Sequence, residues 1–176
     1  MSTSSTVPST GESPHTLEAE SREMRDLIVH VRRHLHAHPE LGFQEHDTAE
    51  FIREVLEAHG FEVKAPLAGT GLYVDIDGAE PGPTIAYRAD IDALPISDKK
   101  DVSYASSNAQ TAHLCGHDAH TAIAVGIALL LKKHSDELRG RVRVFFQPAE
   151  EKTPSGAPEM IADGVLEDVQ AIYAVH

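Results

Sequence analysis

The only cysteine of the 176-residue chain lies in HLCGHDAH (113–120), among three histidines and beside an aspartate. Cys115 and His117 stand two positions apart with Gly116 between them, so a tightly bent loop can bring thiolate and imidazole to one ion. Thiolate, imidazole and carboxylate together suit Zn²⁺ or a similar transition metal and not Ca²⁺ or Mg²⁺. Asp118 can orient a ligand histidine from behind. Two other readings stay open at this point. The cysteine can be a buried free thiol near a helix start, or half of a Cys–His nucleophile pair activated by a helix N-terminus.

A second pair of reactive side chains follows in QPAEE (147–151). One of two adjacent carboxylates, Glu150 and Glu151, can ligate a cation while its neighbour takes a proton from metal-activated water. The plainer explanation is a solvated acidic loop. Asp90 and Asp92, in RADID, are candidate ligands, supports for ligands, or caps of a turn. His176 is a candidate ligand or simply the residue that follows a strand.

These clusters need elements to hold them. Met24, Leu27, Ile28, Val31 and Leu35 recur at helical spacing, and 47–59 predicts a second helix stopped by Gly60. GLYVDIDG (71–78) alternates as a strand, PTIAYRADID (83–92) predicts another, and 97–112 predicts an exposed loop. Residues 118–134 predict a largely buried helix, 141–146 a strand, 156–163 a short helix, and 170–176 a last strand. Strands alternating with helices predict an α/β fold with a mostly parallel or mixed sheet flanked by helices. RADID, QPAEE and His176 then all follow strands, and CGHDAH precedes a helix. In open α/β sheets ligands collect beyond the carboxyl ends of strands, so the four clusters are expected on one rim.

Composition narrows the function. A hydrophobic share of 41% suits a globular protein with a proper core, and no apolar run reaches the roughly 20 residues of a membrane span. The formal charge of -13 excludes nucleic acid as a natural partner. A single cysteine leaves no internal disulfide, which predicts a reducing, cytoplasmic setting. The Ser/Thr/Pro-rich start predicts a disordered tail over 1–18, without the basic and apolar regions of a signal peptide.

HLHAHPELGFQE, YRADIDALPI, HLCGHDAHTA, VFFQPAEE and MIADGVLEDVQAIYAVH occur in this order. Together, over about residues 24 to 176, they resemble peptidase family M20, in particular its amidohydrolases of N-acyl amino acids, among them hippurate and auxin-conjugate hydrolases. The resemblance implies a zinc-peptidase-like catalytic domain and two divalent transition-metal ions, Mn or Zn first and Co or Ni as alternatives. It implies Cys115, His117, Glu151 and His176 as metal ligands and Glu150 as general base toward a metal-bridged water. Asp90, Asp92, Asp118 and His120 are then candidates for supporting the ligands, while the HAHPE histidines are read as structural. The implied substrate is a small N-acyl amino acid, and the implied full-length form is a homodimer or larger. A dipeptidase or aminoacylase of the same family is the alternative activity, and an inactive metal-binding fragment is the alternative outside catalysis. Members of the family carry a lid and dimerisation domain and a further catalytic segment, so 19–176 is expected to be the N-terminal, incomplete portion of the catalytic domain. EEKTPSGAP stands where a glycine-rich run often follows the paired glutamates.

Overall fold

The computed structural model describes residues 14–176. Helices α1 (Pro14–Glu23), α2 (Arg25–Ala37) and α3 (His46–Ala58) precede strands β1 (Lys64–Leu67), β2 (Gly71–Asp77) and β3 (Glu80–Asp90). Helix α4 (His117–Lys133), strand β4 (Arg139–Gln147), helix α5 (Gly156–Ala162) and strand β5 (Val169–Ala174) complete the order. Helix α1 begins at Pro14, inside the stretch expected to be a tail. The remainder of that stretch, 1–13, lies outside the described residues. Among the described residues no helix is long and apolar enough to cross a membrane.

Local signals explain where the helices stop. After α3, Gly60 takes a left-handed φ of 77°, and the N–H groups of Phe61 and Gly60 return to the carbonyls of Leu56 and Glu57. That double turn-back uses up carbonyls the helix end would otherwise leave bare. Helix α2 carries Asp26 in its first turn and His34 and His36 in its last, each sign on the favourable end of the helix dipole.

The sheet runs β1-β2-β4-β3-β5. Strands β4, β3 and β5 are mutually parallel, while β2 pairs antiparallel with both β4 and β1. The expected α/β fold with a mixed sheet is therefore present. The neighbours β2 and β3 do not pair, because β4 lies between them.

One face of the sheet presents Leu72, Val74 and Ile76 of β2 and Val144 and Phe146 of β4 to α2, α3 and α4. The registers Leu72↔Phe146 and Val74↔Val144 put these side chains opposite each other. Phe146, Ile52, Leu56 and Leu72 are fully buried, each contributing about 1.5–3 kcal/mol by leaving water. Helices α2 and α4 cross closely: a Cβ on Gly126 would sit 2.8 Å from Ile28 Cδ1. The other face holds a smaller core of Leu67, Ala86, Phe145, Met160 and Val165 beneath α5. There Arg143 grips Asp75 through Nε (2.8 Å) and Nη2 (3.0 Å), and its Nη1 donates to the Val165 carbonyl at 2.9 Å.

Burial of α4 is less complete than its composition suggests. Its N-terminal half is buried, but Ile123 is 37% exposed and Leu129 to Leu131 are only partly covered. Strand β5 forms the sheet edge, with Ile172 47% and Tyr173 61% exposed. The loop at 97–112 is polar and irregular as expected, yet its end is not exposed: Thr111, Ala112 and His113 are buried.

Candidate metal centre

Three parallel strands finish together. Asp90 of β3 is level with Gln147 of β4, and Arg88 lies level with Ala174 of β5. The chain beyond each strand, together with the start of α4, therefore arrives at one rim. Gly116 precedes α4 with a φ of 98°, a left-handed turn open to glycine at little cost. It brings Cys115 and His117 to the same side. Cys115 Sγ lies 3.7 Å from His176 Nε2, and ligand atoms of Cys115, His117 and His176 all fall within 4.8 Å of one another. Asp90, His117, Glu150 and His176 form a second such group. Glu151 Oε1 lies 3.8 Å from His117 Nε2, and Glu150 Oε2 lies 3.7 Å from the same nitrogen.

The hydrogen bonds decide which atoms are presented. His117 Nδ1 lies 2.9 Å from the Asp92 carbonyl, so its N–H donates there and the Nε2 lone pair faces the cluster. That Nε2 is buried without a hydrogen-bond partner, and so is Asp90 Oδ2, 3.6 Å away. Arg88 Nη1 approaches Asp90 Oδ2 at 3.0 Å as a charge without hydrogen-bond alignment. Unsatisfied buried polar atoms cost about 1–3 kcal/mol each. A cation between a bare imidazole nitrogen, a bare carboxylate oxygen, a thiol and a second imidazole relieves both at once, and this donor set fits a transition metal. His120 donates from Nδ1 to Asp90 Oδ1 at 2.7 Å, and Thr121 Oγ1 donates to the Asp90 carbonyl at 3.0 Å. His120 thus holds Asp90, which itself stands closer to the cluster than a purely supporting residue.

The charges act in the same direction. Burial of the His117 ring disfavours its protonated form, but the hydrogen bond from Asp92 and the charges of Asp90 and Asp92 outweigh this and raise its pKa. Partial burial raises the Cys115 thiol to about 11, helped by its hydrogen bond to Glu151 and the charges of Glu151, Glu150 and Asp90. A thiol so disposed is a poor free nucleophile at neutral pH. A cation beside it would release the proton.

The paired glutamates sit on a turn gripped through its backbone. Asp92 accepts from the Glu150 and Glu151 N–H groups through its two oxygens, each at 3.0 Å. Burial raises the Asp92 pKa, but the His117 hydrogen bond and these two N–H groups prevail and lower it. Asp92 therefore ties the turn to His117.

Asp118 departs from the expected role. Its Oδ2 receives His36 Nδ1 at 2.6 Å and Arg32 Nε at 2.9 Å, and it orients no candidate ligand histidine. The reason is helical geometry: one step along α4 from His117 turns Asp118 toward α2. His36, from HAHPE, is fully buried and also meets Asp98 at 3.2 Å, so this structural histidine fastens the 97–112 loop to both helices. Sequence reasoning missed the partnership because its members lie 82 positions apart.

His113 is buried nearby with both ring nitrogens unpartnered. Burial lowers its pKa to about 4, against an opposing pull from the Asp118 charge. The unfolded chain binds this proton below about pH 6.5, whereas the folded chain resists it until about pH 4. Stability from this group is complete above pH 6.5 and declines as pH falls toward 4, by up to about 3 kcal/mol. Metal-free His113→Leu should lose that much less stability between pH 7 and 4 in urea titrations; a slope equal to that of the parent chain would refute the assignment.

A parallel strand rim that gathers thiol, imidazole and carboxylate around two bare ligand atoms defines an α/β metal-centre protein. The chain belongs to peptidase family M20/M25/M40, whose pattern residues 86–176 match. It is 42% identical over 172 residues to an N-acetyl-L-cysteine deacetylase of Bacillus subtilis (strain 168), covering 95% of this chain and 41% of that protein. An N-acyl-L-amino acid amidohydrolase of Geobacillus stearothermophilus is 43% identical over 155 residues, covering 88% and 42%. A crystal structure from Bacillus subtilis, described as a dinuclear metal binding peptidase from the M20 family, superposes with a TM-score of 0.80 at 45% identity, covering 88% of this chain and 42% of that one. The chain thus spans about two fifths of the length of these relatives.

Proposed function

We propose that this chain carries the metal-binding and proton-transfer part of a hydrolase that cleaves the amide bond of N-acyl amino acids. The observation that carries the reading is the bare His117 Nε2, facing a point shared by Cys115 and His176 beside the glutamate pair. The activities named for the similar deacetylase and amidohydrolase support the substrate class. Cys115, His117, Glu151 and His176 would hold the ions, with Asp90 placed to join them and with His120 and Asp92 fixing Asp90 and His117. Two overlapping donor groups and the dinuclear relative support two ions, for which this donor set favours Mn or Zn over Co or Ni.

When bound, such ions supply Lewis-acid polarisation of the amide carbonyl. Glu150 takes a proton from the attacking water as the water oxygen bonds to the amide carbon. The carbon–nitrogen bond then breaks, and Glu150 hands the proton to the leaving amino group. Its backbone, pinned by Asp92, keeps the carboxylate at the rim during both transfers.

Metal analysis and hydrolysis of N-acetyl and N-benzoyl amino acids, on the protein expressed from its complete reading frame, test the reading. Cys115→Ala is expected to lower metal content about 10–100-fold in affinity, with activity falling alongside. Full metal content with lost activity would transfer the reading to a cysteine nucleophile. Full metal content with no hydrolysis by the parent protein would leave a binding module.

A further inference from the structure

Glu45 is a fully buried carboxylate with no part in the chemistry above. It stands at the cap position of α3, where a short polar side chain normally bonds its own helix, yet it makes no such bond. Glu40 does that work, receiving the Thr48 N–H at 2.7 Å and the Asp47 N–H at 3.3 Å. Glu45 instead reaches across the molecule. Its Oε1 accepts from the Ala149 N–H at 2.8 Å, and its Oε2 accepts from Thr70 Oγ1 at 2.7 Å.

Ala149 precedes the glutamate pair and holds a φ of 51°, a left-handed conformation that alanine disfavours. It is clamped on every side. Its carbonyl accepts from the Gly156 N–H at 3.1 Å, and its Cα would lie 3.0 Å from a Cβ placed on Gly42. Three successive N–H groups, those of Ala149, Glu150 and Glu151, thus end on two carboxylates, Glu45 and Asp92.

We propose that Glu45 is a positioning residue: by holding the Ala149 N–H it fixes the turn that aims Glu150 and Glu151 at the metal centre. The inference rests on the ligand reading of Glu151 given above. Asp92 cannot replace Glu45, because both Asp92 oxygens are already engaged by the two following N–H groups.

The test uses Co²⁺ titration of this chain, read by visible absorption, with amide exchange at Ala149 followed by NMR. Glu45→Ala is expected to speed Ala149 exchange at least tenfold relative to core amides such as that of Phe146, and to weaken Co²⁺ binding about 10–100-fold. Glu45→Gln, which keeps an acceptor oxygen in place, should stay within about threefold of the parent on both readings. A merely structural role would lower stability in both variants without this split. Should Glu45→Ala fail to fold, Glu45→Asp, one methylene too short, is judged by the same two readings. Glu151→Ala runs in parallel. If it weakens Co²⁺ binding and the folded Glu45 variant does not, the proposal is overturned. If neither weakens it, the ligand reading of Glu151 falls, and Ala149 exchange alone decides: faster exchange upholds Glu45 as the clamp of the turn, and unchanged exchange removes it.

Discussion

Glu150→Gln is expected to lower the turnover of N-acyl amino acids by about 10²–10⁴-fold while the metal content stays at the parent value. The amide fills the space of the carboxylate and leaves its backbone bond to Asp92 in place, but it cannot accept a proton at neutral pH. The split between activity and metal content carries the information, because Glu150 Oε2 also lies 3.7 Å from His117 Nε2, near enough to raise a ligand role. Metal analysis beside initial rates on N-acetyl amino acids separates the two. Loss of metal in parallel with rate would make Glu150 a ligand, and retained turnover would remove it from the proton transfer.

Asp75→Ala is expected to destabilise the fold by about 3–5 kcal/mol, lowering Tm on the order of 10 °C. The guanidinium of Arg143 is buried beneath α5 between Asp75, the Val165 carbonyl and the Tyr73 ring, whose centroid lies 4.5 Å away. Removing Asp75 leaves that charge without its bidentate partner, and neither a carbonyl nor a ring face neutralises it. The double change Asp75→Leu with Arg143→Met should recover much of the loss, since an apolar pair has no charge to desolvate. Calorimetry of the three variants checks the ordering. A single Asp75→Ala change within 1 kcal/mol of the parent would show that the charge finds solvent. The strain bears on the rim too, because Arg143 lies on the strand that carries the glutamate turn.

The parts legible in the sequence are those governed by local pattern. Helices α2 and α3 and strands β2, β3 and β4 follow from apolar spacing, with ends near the expected positions. The shared rim also followed, because three polar clusters each sat beyond a strand. Strand β1 escaped notice: Lys64–Leu67 is four residues long, contains a proline and buries only Leu67. The insertion of β4 between β2 and β3 left no local trace, since strand order is chosen by tertiary packing. The same is true of Glu45. Its place in HPELGFQE was visible, but the Ala149 N–H it serves lies 104 positions away. Asp118 was misassigned for a related reason. Its neighbours in sequence suggested a partner among the histidines of its own segment, and its actual partner sits on another helix.

The bonds that build the rim join positions 58, 61 and 104 apart, and no short stretch holds more than two donors aimed at the same point. Local helices can form early in such a chain, but the centre must wait until β3, β4 and β5 have closed their long loops. Ion capture is therefore a late event in folding, coupled to the completed sheet and without a local nucleus to seed it. A cation added to the unfolded chain meets scattered weak donors, and the same cation added afterwards meets a finished cage. The metal acts on this protein as a latch closed last, slowing the reopening of the sheet more than it speeds its assembly.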